Sequence, residues 1–212
     1  MIMTKMNRIV EKSDLIAPDL YAKNRKQFRK QLLEFKKNRR VPVGPHATFY
    51  FENFETMLGQ IQEMLHIEKG GKDQLNDELK AYNPLIPKGK ELTATLMFEI
   101  DDPTLRSDFL GKVGGIEEKV YIQVNKEKIN ASSETDVDRT SSEGKASSVQ
   151  FLHFNFSEEQ IKSYYENNKD DYKEIYKSVK IFELTPKKLI GGNEFNDVFF
   201  KNIDEIDDII IQ

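Results

Sequence analysis

Cysteine is absent from the 212 residues. Disulfides, thiolate metal ligands and thiol nucleophiles are excluded with it. Tryptophan is missing as well. No run approaches the roughly 20 apolar residues that a membrane helix requires. The opening MIMTKMNRIVEKSDLI carries charges where a signal peptide needs an apolar core. A cytoplasmic protein is the expectation. Phosphate-cradling loops are missing too: there is no Gly-x-x-x-x-Gly-Lys-Ser/Thr and no Gly-x-Gly-x-x-Gly. No serine sits in a nucleophile elbow. Asp136-Val-Asp138 starts like a calcium loop, but Ser141 stands where the loop needs glycine and Ser147 where it needs glutamate.

What is there suffices for a packed domain. The length allows one sizeable core, and a 38% hydrophobic content is too high for disorder throughout. The net charge of −4 is unevenly spread. Between Leu20 and Arg40 there are nine basic residues against the single acid Glu34, which leaves the rest of the chain near −12. The segment reads as a basic helix on an acidic body. A solvated face explains it, as does a surface for an anionic partner. Aromatic residues do not interleave with the cations in a stacking pattern, so nucleic acid is not expected.

Periodicity gives the elements. Pro18 suits the first turn of a helix, and Tyr21, Phe28, Leu32 and Phe35 form one apolar stripe up to about Asn38. Val41-Pro-Val-Gly-Pro-His breaks it. Ala47 to Glu52 is β-prone. Asn53 is a candidate N-cap for a helix from Phe54 to Glu68, closed by Gly70-Gly71. A helix follows from Asp73 to Tyr82, and Asn83 before Pro84 is expected to be extended. Leu92 to Ile100 alternates as a half-buried strand does. A short helix opens at Asp102-Pro103, and Lys119–Val124 reads as a strand. The polar stretch 125–148 reads as a long connection. Val149–Phe156 is apolar on both faces and is expected to be a central strand, and Ser157 caps a helix behind it. Residues 178–184 are β-prone, and the chain ends in the acidic, Ile-rich IDEIDDIIIQ. Helices and strands mix without regular crossover, which predicts an α+β fold: a mostly antiparallel sheet with helices packed on it. Residues 1–170 form a single domain in this reading and 171–212 a C-terminal extension.

The chemistry-bearing residues concentrate in GPHATFYFENFETMLGQIQEMLHIE. Glu63 and His66 lie three apart on one helix, the spacing of carboxylate-bridged metal sites. Helical projection turns them away from the stripe of Phe54, Met57, Leu58, Ile61, Met64 and Leu65, toward Thr56 and Gly59. They could line a site only if another element covers that side, and Gly59 would permit its approach. His46 and Glu52 flank the strand that leads into this helix, and Gln60 lies one turn before Glu63. His46, Glu52, Gln60 and Glu63 are the polar-site candidates. No cofactor is identified. A divalent metal stays open, with His46 and Glu63 as candidate ligands and His66 behind them. His153 shares a strand face with Val149 and Phe151, where a core histidine held by hydrogen bonds is expected.

Three stretches resemble a bacterial family catalogued as domain of unknown function 3501: Arg39–Asn53, Gln60–Glu68 and Ala81–Ile100, with NPLIP and QEML in register. Lys119–Asn125 and Ser147–Ser157 fit the same order. The resemblance spans roughly residues 10 to 165. It brings no reaction. It implies an association with rubrerythrin-like and iron–sulfur oxidoreductase proteins, hence with peroxide or redox metabolism. It also implies arginine where this chain has His66 and His153, which leaves His46, Glu52, Gln60 and Glu63 as the shared polar positions. Two functions compete: an accessory or binding protein serving a redox system, and a metal- or carboxylate-dependent enzyme built around His46, Glu52 and Glu63.

Overall fold

The computed structural model describes residues 9–161, apart from 125–126, 135–139 and 143. The fold is α+β, as the sequence predicts. The residues form two compact units: 9–39 with 52–88, and 40–51 with 89–161. The β-prone run at 178–184 and the C-terminal extension lie outside the described residues. Among the described residues, no helix is long and apolar enough to cross a membrane.

The second unit is an antiparallel sheet of β1 (Arg40–Val43), β2 (Ala47–Phe51), β3 (Glu91–Phe98), β4 (Tyr121–Val124), β5 (Glu127–Ser133) and β6 (Val149–Asn155). The strand order is β1-β2-β3-β6-β5-β4. Its register puts Leu92 opposite Phe154, Ala94 opposite Leu152 and Leu96 opposite Gln150. The predicted alternation of β3 is therefore the core face: Leu92, Ala94, Leu96 and Phe98 are buried with Leu152 and Phe154. The other face carries Thr93, Thr95, His153 and Ser132. Helix α4 (Pro103–Lys112) is capped by Asp102, whose side chain accepts the Leu105 N–H at 2.8 Å.

Two strands contradict the sequence reading. Val41–His46 was expected to be a break, yet Arg40–Val43 pairs with β2 across a turn in which Gly44 takes φ 62°. Proline is tolerated because β1 is an edge strand among the described residues. Within the expected connection 125–148, Glu127–Ser133 forms β5, held between β4 and β6. Its segment EKINASS places only Ile129 fully in the core, so no apolar alternation marks it.

The first unit holds α1 (Pro18–Lys36), α2 (Phe54–Glu68) and α3 (Gly71–Tyr82). Asn53 caps α2 as expected: its side chain accepts the Thr56 N–H at 3.0 Å, while the Thr56 hydroxyl accepts the Asn53 N–H at 2.9 Å. The left-handed residue that ends α2 is Lys69, one position before the glycines. Asn83 is not extended before Pro84. It adopts helical angles, and Asn83–Leu85 forms a 3-10 turn. The steric preference is outweighed by what Asn83 binds: its side chain accepts the Val10 N–H at 2.6 Å and donates to the Val10 carbonyl at 3.1 Å.

Candidate functional site

Helix α1 decides what the polar side of α2 can do. Tyr21, Arg25 and Arg29 follow one another at four-residue spacing, so they form one row on α1. All three converge on Glu63 of α2. The Tyr21 hydroxyl donates to Oε2 at 2.7 Å, the Arg25 Nε donates to Oε2 at 3.1 Å, and its Nη2 donates to Oε1. The Arg29 Nε stands 3.8 Å from Oε1. Residue 59, a glycine, leaves room for the tip of Leu32. A Cβ there would fall 2.5 Å from Leu32 Cδ2 on α1. The side of α2 that projection leaves uncovered is therefore covered by α1, and Thr56 on it is fully buried.

The electrostatics follow from these contacts. Hydrogen bonds from Arg25 hold the Glu63 carboxyl at about 2, against burial, which favours its neutral form. Burial and then the Glu63 hydrogen bond push the Tyr21 phenol up to about 12. Glu63 is thus ionised and Tyr21 protonated at neutral pH. A carboxylate so weakly basic is a poor general base, and the phenol a poor acid. The cluster is suited to positioning α1 on α2. The Tyr21 ring also stacks on Phe28, with centroids 5.7 Å apart, and meets the edge of His66 at 5.6 Å.

Two concavities border this cluster. One, of about 320 Å³, is lined by Tyr21, Phe28, Leu32, Leu33, Leu58, Gln60 and Glu63 among others. The second, of about 590 Å³, is lined by Ala22, Lys23, Arg25, Lys26, Arg29, Lys30, Leu33 and His66, with no carboxylate among the described residues. Arg29 and Leu33 belong to both.

A family model described as protein of unknown function, DUF3501, matches residues 9–181. The chain belongs to the DUF3501 family. It is also similar to a crystal structure from Burkholderia pseudomallei K96243, described as a novel protein of unknown function. That structure is 34% identical, with a TM-score of 0.69, and the match covers 74% of this chain and 82% of that one. No curated protein matches the chain.

The polar-site candidates fall in both units. In the first unit, Gln60 reaches the Tyr82 hydroxyl at 3.4 Å, and Glu63 binds α1. Glu52 is buried, and its carbonyl accepts from Arg39 at 3.1 Å. His46 belongs to the second unit, where it sits edge-on to Phe109 at 5.5 Å. Gln60 and Glu63 share the smaller concavity, and His66 lines the larger one. Among the described residues no group of three or more histidine, aspartate or glutamate side chains is arranged to hold a metal ion.

The second unit has its own polar clusters. Glu99 accepts from Thr48 at 2.6 Å, Tyr50 at 2.6 Å and Arg40 at 3.0 Å, which lowers its pKa, the Thr48 hydrogen bond first. His153 lies between Glu91, 3.1 Å from Nδ1, and Glu134, 3.7 Å from Nε2. Glu134 and then Glu91 raise its pKa to about 9, while burial opposes them. His153 is thus held by carboxylates as an imidazolium; the expected partners are present, but it lies on the face opposite the hydrophobic core rather than in the core.

The sequence reading missed the two amides that fasten the N-terminal segment. Gln62 Oε1 accepts the Ile16 N–H at 2.7 Å, and Nε2 donates to the Ile16 carbonyl at 3.1 Å. Asn83 does the same for Val10. Gln62, beside the apolar stripe of α2, was a faint signal for one of them, and Asn83 carried none. The row Tyr21, Arg25, Arg29 was visible as spacing, but not its target 34 to 42 residues away.

Proposed function

We propose that this DUF3501 protein is an accessory binding protein without a reaction of its own, and that an acidic partner docks on the cationic face of α1. One observation carries the reading: among the described residues, the concavity lined by Lys23, Lys26, Lys30, Arg25 and Arg29 has no carboxylate in its lining. Arg25 is spent on Glu63, but Lys23, Lys26 and Lys30 have no ion-pair partner among the described residues. Clustered unpaired cations attract an anionic surface and speed its encounter. The family resemblance supplies the partner class, rubrerythrin-like or iron–sulfur oxidoreductase proteins, and with it a cytoplasmic, redox-linked setting. Without cysteine the chain lacks the thiolates that hold an iron–sulfur cluster. Its role is therefore to assist an electron carrier.

The competing reading is a metal- or carboxylate-dependent enzyme around His46, Glu52 and Glu63. A metal at Glu63 would have to displace Arg25 and Tyr21 from the carboxylate, which weighs against it. The deciding experiment titrates purified rubrerythrin-like and iron–sulfur oxidoreductase proteins into the wild-type chain and into Lys23→Glu/Lys26→Glu/Lys30→Glu. Wild-type binding that weakens with salt, and a loss of about tenfold or more on charge reversal, is expected. A wild-type chain that binds neither protein removes the reading.

A further inference from the structure

Resting on the accessory-protein reading, we infer that the element bound by this groove is an acidic amphipathic helix of the partner. The groove joins two chemistries. Leu32 and Leu33 of α1 and Leu58 of α2 line the smaller concavity together with Asp14, Glu55 and Glu63, and Leu33 and Arg29 continue into the cationic one. Leu33 is 64% exposed, a large apolar side chain at the seam between them. Lysines alone would suit any polyanion. The adjoining apolar cavity adds a requirement that a phosphate backbone cannot meet. Nor is there a stacking platform for bases: the Phe28 ring is already stacked on Tyr21.

An amphipathic helix meets both requirements. Its apolar residues recur at three and four positions and form one stripe, which enters a groove as a row of anchors. Carboxylates beside that stripe come to lie at the groove's edge, where Lys26 and Lys30 stand. Each buried leucine of such a helix leaves water for an apolar lining, a gain equivalent to about tenfold in affinity or more. The cations would then set orientation and on-rate, and the leucine stripe residence time.

The test uses the full chain and four fluorescent probes: a Glu/Leu peptide with its leucines on one helical face, the same composition scrambled so that they are not, the same peptide with serine for leucine, and a single-stranded oligonucleotide. The amphipathic peptide is expected to bind best, the scrambled and serine peptides about tenfold weaker or worse. Leu33→Ser, an uncharged change at an exposed position, is expected to lower affinity for the amphipathic peptide and leave the serine peptide unchanged. Equal binding of the serine peptide or the oligonucleotide overturns the helix inference and leaves the cationic docking face standing. Failure of every anionic probe removes both.

Discussion

Asn83 and Gln62 each turn one side-chain amide into a two-bond clamp on the backbone of the N-terminal segment. A primary amide carries an acceptor and a donor side by side, so it satisfies the N–H and C=O of a single residue as a neighbouring strand would. Val10 and Ile16 are the residues clamped. Val10 is 1% exposed, so its backbone groups have little recourse to water once a clamp is cut. We expect Asn83→Ala and Gln62→Ala each to cost about 1–3 kcal/mol. Hydrogen exchange should accelerate at Val10 in the first variant and at Ile16 in the second. Asn83→Asp keeps the acceptor but sets a carboxylate against the Val10 carbonyl, and should exchange nearly as fast as Asn83→Ala. An Asn83→Ala protein with unchanged exchange at Val10 would refute the clamp. The residue-level rule that a pre-proline position avoids the helical region failed here for this reason. The preference is small beside two hydrogen bonds, and their partner lies 73 residues away, beyond the reach of any local pattern.

At the scale of elements, what could be read was what local chemistry determines. Pro18, Asn53 and Asp102 start their helices where the caps predict, and the alternation of β3 gives its buried face. The exceptions are strands whose stability comes from neighbours. β1 contains Pro42 and survives at an edge. β5 is mostly polar and is held by pairing on both sides, with the Ala131 N–H donating to the Val120 carbonyl at 2.8 Å. Limited proteolysis should therefore spare 127–133, and the Ala131 amide should exchange slowly. Early cleavage inside β5 would contradict its place in the sheet. The apolar stripe of α1 was legible, but its depth of burial was not. Tyr21 is buried, Phe28 and Leu32 are half-buried, and Phe35 is 41% exposed under the Arg39 guanidinium. Phe28→Ala should accordingly cost about 1–2 kcal/mol, below the range for a fully buried ring. Lys26→Gln and Lys30→Gln should cost about 0–1 kcal/mol each. Chemical denaturation of the three variants checks this ordering. The candidate site shows the same division. The residues of α2 that point toward α1 were readable by projection, whereas the meeting of α1 with them depends on chain return.

For the whole molecule, charge is sorted further than the sequence suggested. Of the nine basic residues between Leu20 and Arg40, Arg39 is buried against the Glu52 carbonyl and Arg40 pairs with Glu99. Arg25 holds Glu63, and the remainder includes Lys23, Lys26 and Lys30 of the proposed docking face, which have no ion-pair partner among the described residues. Two titrating groups, Glu63 in the first unit and His153 in the second, set the pH dependence on either side of neutrality. Glu63 is lowered from 4.5 to about 2. A lowered carboxyl contributes stability that is complete above its unfolded pKa and is lost as pH falls toward 2. His153 is raised from 6.5 to about 9. Its contribution is complete below 6.5 and is lost as pH rises through 9. Stability should therefore decline on an acid limb between about pH 5 and 2 and on an alkaline limb between about pH 6.5 and 9.5, by about 1–2 kcal/mol each after solvent screening. Glu63→Gln should be less stable at neutral pH and flatten the acid limb alone. His153→Arg keeps a cation between Glu91 and Glu134, so it should fold well and flatten the alkaline limb alone. Urea midpoints measured across pH for the three proteins separate the limbs, and the imidazole proton resonances give the His153 titration directly. An imidazole that titrates near 6.5 in the folded protein would show that Glu91 and Glu134 do not hold it charged.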